Sequence, residues 1–392
     1  MRYLWLLLTL FVLSCQGERY DMKTYHGQLG YLREKCEEYN VQAPSFFLFG
    51  MGNRDKFVYK HYQLISLDND TIFYSFEDAV SDSIIPDEYK VFVNTRSGKK
   101  MVFEDENGIW LWKGDKCDSI HSKYCKVVLP DFRGKLYSKI LKVLHHEILI
   151  NIKESCLYPN IFVYKKPFLR DAFMGALCLE QTGNSGILQP WIENIDSIYD
   201  MQNGEKEPDN LGELLYLLTL IPAESNQSLR QKLNEEIDRR TIRDDNLRYV
   251  SGHTDGNDNA EYQTQVLKYA MKKAGIHDGY TSARVPGFYY NLCWFTKGSD
   301  NHQTIRQRFD YWRYGNRDLA WPYLMWARAH YYGNFQAPMN TQDYPLSWEK
   351  NGESAFYDGM QIISCDAVDN RMCYPHVWTA AEMFLKLIQY EE

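Results

Sequence analysis

Three acids and a histidine fall within nine positions of His253-Thr254-Asp255-Gly256-Asn257-Asp258-Asn259-Ala260-Glu261, a polar loop that runs into a helical pattern over Glu261–Lys273. Clustered carboxyl groups raise one another's pKa, so one can stay protonated while another is ionised. Cleavage of a glycosidic bond by acid/base catalysis uses that division, which makes Asp255 and Glu261 candidate acid and base. His253 and Tyr262 flank them as candidate substrate contacts. A solvated, Asx-rich turn before a helix would use the same residue types. Asp255, Asn257 and Asn259 also alternate as in a calcium loop. However, Ala260 stands where that loop's glycine belongs and Val266 where its last glutamate belongs. No metal site is read here.

A second group, Arg170-Asp171, follows Pro167 at the start of the helical pattern Phe168–Gln181, which stops at Thr182-Gly183-Asn184. The helix dipole favours a carboxylate at that end. Arg170 can donate to sugar hydroxyls and Asp171 can accept from them, and Asp171 can itself serve as a catalytic carboxylate. An ordinary helix start with a solvated arginine fits equally well. A third group interleaves Arg306, Arg308, Arg313 and Arg317 with Trp312 and Trp321. Arg313 and Trp321 are the candidate sugar contacts in it, against the commoner outcome of a salt-bridged helix face. His376 opens the last helical pattern, His376–Gln389, where it can reach a cleft. If the reaction is elimination rather than hydrolysis, His253 or Tyr262 is the base and Arg313 neutralises a uronate.

Distinct elements must position these groups. Short β-type runs begin at Phe46-Phe47-Leu48-Phe49 and continue to Gly108–Trp112, with turns at Gly52-Asn53 and Asn69-Asp70. Past Pro130 helical periodicity takes over, at Lys135–Lys153, Phe168–Gln181, Leu211–Leu220, Ser228–Arg239, Glu261–Lys273, Asn316–Tyr331 and His376–Gln389. A helix over Tyr20–Tyr39 precedes the strands. The expected organisation is a signal peptide at 1–14, a tether and N-terminal helix at 15–44, a β-rich unit at 45–130 and a helical domain at 131–392.

The net charge of −8 offers no basic excess for nucleic acid. Aromatic residues make up 15% of the chain, with 30 Tyr and 10 Trp. That supply serves a core and equally a sugar-binding cleft, because such rings pair an apolar face with a polar edge. Leu6-Leu7-Leu8-Thr9-Leu10-Phe11-Val12-Leu13-Ser14-Cys15 follows Arg2 and is too short to span a bilayer. It resembles the lipobox of bacterial lipoproteins. The resemblance implies cleavage before Cys15, a lipid on its thiol and, with Gln16 following, residence at the outer membrane or cell surface of a diderm bacterium. The other cysteines are even in number, as disulfides in an oxidising compartment require. Cys117–Cys125 and Cys365–Cys373 are the first pairs to test, and Cys178 reads as a buried free thiol.

Arg-Asp opening a helix, the late helix Pro375-His376-Val377-Trp378-Thr379-Ala380-Ala381-Glu382, and Gly/Asn-rich connections resemble six-hairpin, (α/α)-toroid carbohydrate enzymes from about Pro159 onward. The resemblance implies an α+β chain, in which a small N-terminal β-rich unit precedes a toroid-like helical domain. The helices are too few to close the ring, and the β unit is smaller than the sandwich found in several such families. It further implies a lipid-anchored glycoside hydrolase that needs no cofactor, with Arg170 and Asp171 beside the cleavage point and loop acids on the same rim. The rival expectations are a non-catalytic glycan-binding lipoprotein and a polysaccharide lyase.

Overall fold

The computed structural model describes residues 23–29, 46–120, 123–162, 164–202, 204–244, 247–254, 257–258, 260–277, 279–280, 344–350 and 373–389. Of the helix expected at 20–39, residues 25–29 are described and are helical. The chain then builds two antiparallel meanders. The first holds β1 (Phe46–Phe49), β2 (Phe57–Lys60), β3 (Gln63–Ser66) and β4 (Thr71–Ser75) in sequence order. The second holds β5 (Ala79–Ile85), β6 (Lys90–Thr95), β7 (Gly98–Glu104), β8 (Ile109–Trp112) and β9 (Cys117–Ser119). Two-residue alternation sets the faces of the second sheet. Val91, Val93, Val102 and Leu111 are buried on one side, while Phe92, Phe103, Trp110 and Trp112 stand half-buried on the other. The buried side meets the first sheet, where the Tyr59 hydroxyl donates to Asp82 at 2.6 Å.

The loop between β1 and β2 is fixed by a buried carboxylate. Glu104 accepts from the Gly50 and Met51 amides at 2.8 and 2.6 Å and from Arg54 at 2.8 Å. The other Arg54 N–H groups donate to the carbonyls of Asp105, Glu106 and Cys125. Each nitrogen of this buried guanidinium thus donates to oxygen, as a charge removed from water requires.

Helix α1 (Ser138–Ile150) packs on this unit. His146 stacks on Phe47 with ring centroids 4.8 Å apart, and its Nε2 lies 3.1 Å from the Leu48 carbonyl. Burial pushes His145 and His146 down to about 3, so both pack as neutral rings. Beyond α1 come the hairpin β10 (Ile152–Lys153) with β11 (Cys156–Leu157), α2 (Leu169–Gln181), α3 (Gln189–Glu193), α4 (Asp209–Leu218) and α5 (Gln227–Arg240). Two hairpins, β12 (Thr241–Asp244) with β13 (Leu247–Val250) and β14 (His253–Thr254) with β15 (Asn257–Asp258), lead to α6 (Ala260–Lys273). A last ladder, β16 (Trp348–Lys350) with β17 (Cys373–Pro375), precedes α7 (Val377–Gln389).

Helices α7, α2, α4 and α6 lie side by side and run the same way. Asp171 faces His376 at one end of the first pair, and the Cys178 thiol reaches the Ala381 carbonyl further along. Arg170 meets Asp209 near the start of α2 and α4, and Glu180 meets Tyr216 nearer their ends. Glu213 meets Tyr262, and Tyr216 stacks on Tyr269, which sets α4 parallel to α6. Four helix starts therefore gather at one end. Gly212 is what lets α4 and α6 approach so closely, because a Cβ there would stand 2.5 Å from the Leu267 amide nitrogen and 2.7 Å from the Val266 carbonyl carbon. Gly212→Ala is expected to lower stability by ~1–3 kcal/mol through overpacking against backbone that cannot rotate away. Urea denaturation checks this, and a variant as stable as the wild type would show that the two helices can part without cost.

This architecture corrects the expected toroid. The described residues form a row of helices with small antiparallel sheets, and β10–β17 interrupt the region expected to be helical. Each strand of those hairpins is four residues or shorter, too short for a period of two to register against helical periodicity. The pattern at Asn316–Tyr331 lies outside the described residues. Cys117, Cys125, Cys156 and Cys178 are free thiols, so the expected Cys117–Cys125 bridge is absent. Cys365 lies outside the described residues. No described helix is long and apolar enough to cross a membrane.

Candidate functional site

The gathered helix starts carry a buried cluster of charge. Pro167 and the extended Phe168 end the preceding chain and open α2, where Asp200 accepts from the Leu169 amide at 2.6 Å and stands in for a capping side chain. Arg170, in the first turn, points into the cluster. Its Nε donates to Asp209 at 2.8 Å, its Nη2 donates to Glu207 at 3.0 Å, and Glu213 lies 4.0 Å from Nε. One guanidinium is thus ringed by three carboxyl groups. Asp209 and Glu213 sit four residues apart on one face of α4, so the helix itself brings the like charges together.

Burial, and behind it the charge of Asp209, pushes Glu213 well above the usual carboxylate range and favours its neutral form. Asn210 donates to one Glu213 oxygen at 3.0 Å, and the Tyr262 hydroxyl lies 3.2 Å from the other. Burial raises Asp200 as well, against the amides of Leu169 and Gln202 that lower it.

Asp209 also reaches the second sequence group. Its other oxygen accepts from the Thr254 hydroxyl at 3.2 Å. Gln263, on α6, donates to that same hydroxyl and to the Gly252 carbonyl, each at 2.9 Å. The Thr264 hydroxyl accepts from the Val250 amide at 3.0 Å. The first two turns of α6 thereby clamp the chain that leads into the acidic loop. On the other flank, His376 Nε2 lies 3.8 Å from Asp171 at the junction of α7 and α2. The His376 amide donates to the Ser347 carbonyl at 2.9 Å. Side-chain exposure falls from 10% at Arg170 and 7% at Asp171 to zero at Asp209 and Glu213. Arg170 and Asp171 therefore form the outer tier of the cluster.

The structure thus brings Arg170, Asp171, His376 and Tyr262 to one end of the helix row. Tyr262 is buried there against Glu213, and His253 is exposed on β14. Glu261 lies in the first turn of α6, with only its backbone described. Asp255, Arg313, Trp321 and the lipidation candidate Cys15 lie outside the described residues. Sequence reasoning missed Glu207, Asp209 and Glu213. The available signal was Asp209 and Glu213 at helical spacing within an otherwise apolar helix, since an i,i+4 pair of acids needs a cation between them. Among the described residues no cluster of His, Cys, Asp and Glu has a metal-binding arrangement. No family model, curated protein or solved structure is similar enough to match the chain.

Proposed function

We propose that the protein is a glycoside hydrolase, anchored by lipid at Cys15, in which Asp171 and an acid of the 253–261 loop form the carboxylate pair. Asp255 and Glu261 are the two candidates for that second acid. The observation that supports this most is Asp209, which joins Arg170 to Thr254 through its two oxygens. Asp171 and Asp255 each adjoin one end of that bridge in sequence. Residues far apart in the chain are therefore tied to one framework. Arg170 and His376 would position the sugar, with the inner acids holding Arg170 in place.

The test is incubation of the purified protein with a panel of polysaccharides, followed by reducing-end and ultraviolet assays. Wild type is expected to release reducing ends without unsaturated product. Asp171→Asn, Asp255→Asn or Glu261→Gln should slow release by ~10²–10⁴-fold where the residue transfers a proton. Unsaturated product would replace hydrolysis by elimination. Binding without product would leave the glycan-binding reading.

A further inference from the structure

We infer that the outer face of the β5–β9 sheet is a second, separate binding surface for an anionic polysaccharide chain. Strand register builds it. Lys90, Phe103 and Trp110 stand abreast on β6, β7 and β8, and Phe92, Met101 and Trp112 stand abreast in the next row. Alternation puts both rows on one face, and all of these side chains are half-buried. The opposite face is the one that joins the core through Val91, Val102 and Leu111. The outer rings are outside that core, so the fold does not require aromatic residues there. A contiguous aromatic patch of this kind marks an interaction site.

Charge selects the occupant. The acids of these strands, Asp82, Glu104 and Asp118, alternate onto the inner face, where Asp82 meets Tyr59, Glu104 meets Arg54 and Asp118 meets Lys113. The outer face keeps Lys99, whose ammonium group lies 3.8 Å from the Phe92 ring centroid, and Lys90, 5.3 Å from the same centroid and ion-paired with Glu88. No outward position of these strands is acidic and Glu88 at the edge is taken up by Lys90, so Lys99 gives this face its positive charge in a chain of net charge −8. Lysines held beside flat rings match a ligand that alternates apolar ring faces with carboxylates, which is the make-up of a polyuronate. Neighbouring strands are ~4.8 Å apart, so Phe103 and Trp110 lie about one sugar apart, and Phe92 and Trp112, with Met101 between them, about two. The choice of a sugar ligand rests on the carbohydrate reading above, whereas the existence of the surface does not.

Affinity electrophoresis in gels containing polygalacturonate tests this, with dextran gels and phosphatidylglycerol vesicles as comparisons. Wild type is expected to be retarded by polygalacturonate, less so as salt rises, and not by dextran. Trp112→Ala should weaken retardation about tenfold, the loss expected when a half-buried indole is removed. Lys99→Glu, at an exposed position that leaves the fold intact, should weaken it at least threefold through lost cation and added repulsion. Lys232→Ala, at an exposed position of α5, should leave it unchanged. Absence of retardation, or equal retardation of wild type and both face variants, overturns the proposal. So does vesicle binding that depends on Trp112 and Lys99 while polygalacturonate binding does not. If no polysaccharide is hydrolysed yet retardation follows the face variants, the hydrolase reading fails alone.

Discussion

Arg170→Met is expected to remove ~3–5 kcal/mol of stability at neutral pH, the usual consequence of deleting one partner from a buried ion cluster. Methionine fills much of the same volume, so the loss is electrostatic rather than a cavity. It leaves Glu207, Asp209 and Glu213 together in a site where the last two have no exposed side-chain surface. Burial already favours the neutral form of Glu213 in the wild type. Without the guanidinium, Glu213 loses the charge that opposes its rise, so its folded-state pKa moves further above its unfolded value. A group shifted that way favours folding below its unfolded pKa and loses that contribution as pH rises through the folded value. The deficit of Arg170→Met should therefore shrink from pH 7.5 to pH 5. Arg170→Lys should recover only part of the loss, because an ammonium cannot bond Asp209 and Glu207 as a planar fork does. Urea denaturation of the three proteins at both pH values checks this. A deficit under about 1 kcal/mol at pH 7.5 would mean that the acids are stabilised by something other than Arg170.

The reach of sequence reasoning can be judged from the same cluster. Arg170 and Asp171 are legible because Pro167, a charged first turn and an apolar run announce a helix start. Asp209 is not, because nothing local distinguishes an acid that bonds Arg170 and Thr254 from one that faces water. Only packing of α4 between α2 and α6 decides it. Tyr262 shows the converse. Its place beside Glu261 suggests an accessible base, yet it lies on the face of α6 that meets Glu213. Seven of the nine strands of the N-terminal meanders are legible as short apolar runs between turns, whereas β5, broken by Ser81-Asp82-Ser83, and β9, Cys117-Asp118-Ser119, are not. β12 is not, since Thr241-Ile242-Arg243-Asp244 has a single apolar residue and continues directly from α5. Periodicity reveals that a helix exists and which face is apolar, but not what joins it to the next. Four parallel helix starts are therefore compatible with a ring, and the hairpins between them are what separate this fold from one.

Glu147→Gln is expected to change the pH dependence of stability between pH 4.5 and pH 7.5. The Glu147 carboxyl group is fully buried and accepts from the Leu346 amide at 2.5 Å and the Ser347 amide at 2.9 Å, with the Ser347 hydroxyl also bonded to it. Burial outweighs these bonds and raises its pKa from 4.5 to about 7. The folded value thus lies above the unfolded one, so the protonated acid is the form that folding favours. Its contribution is complete below about pH 4.5, declines as pH rises, and is exhausted above about pH 7. A shift of this size corresponds to ~3 kcal/mol. His145 and His146, pushed down to about 3, stay neutral through that window, and burial keeps Tyr344 protonated. Other titrating groups are common to both proteins and cancel in the comparison. The stability of wild type relative to Glu147→Gln should therefore fall by ~2–4 kcal/mol between pH 4.5 and pH 7.5, measured by urea denaturation at several pH values. A flat difference would mean that the three donors hold Glu147 ionised throughout. Because Ser347 also receives the His376 amide, the same loosening above pH 7 should reach the Asp171–His376 edge of the site.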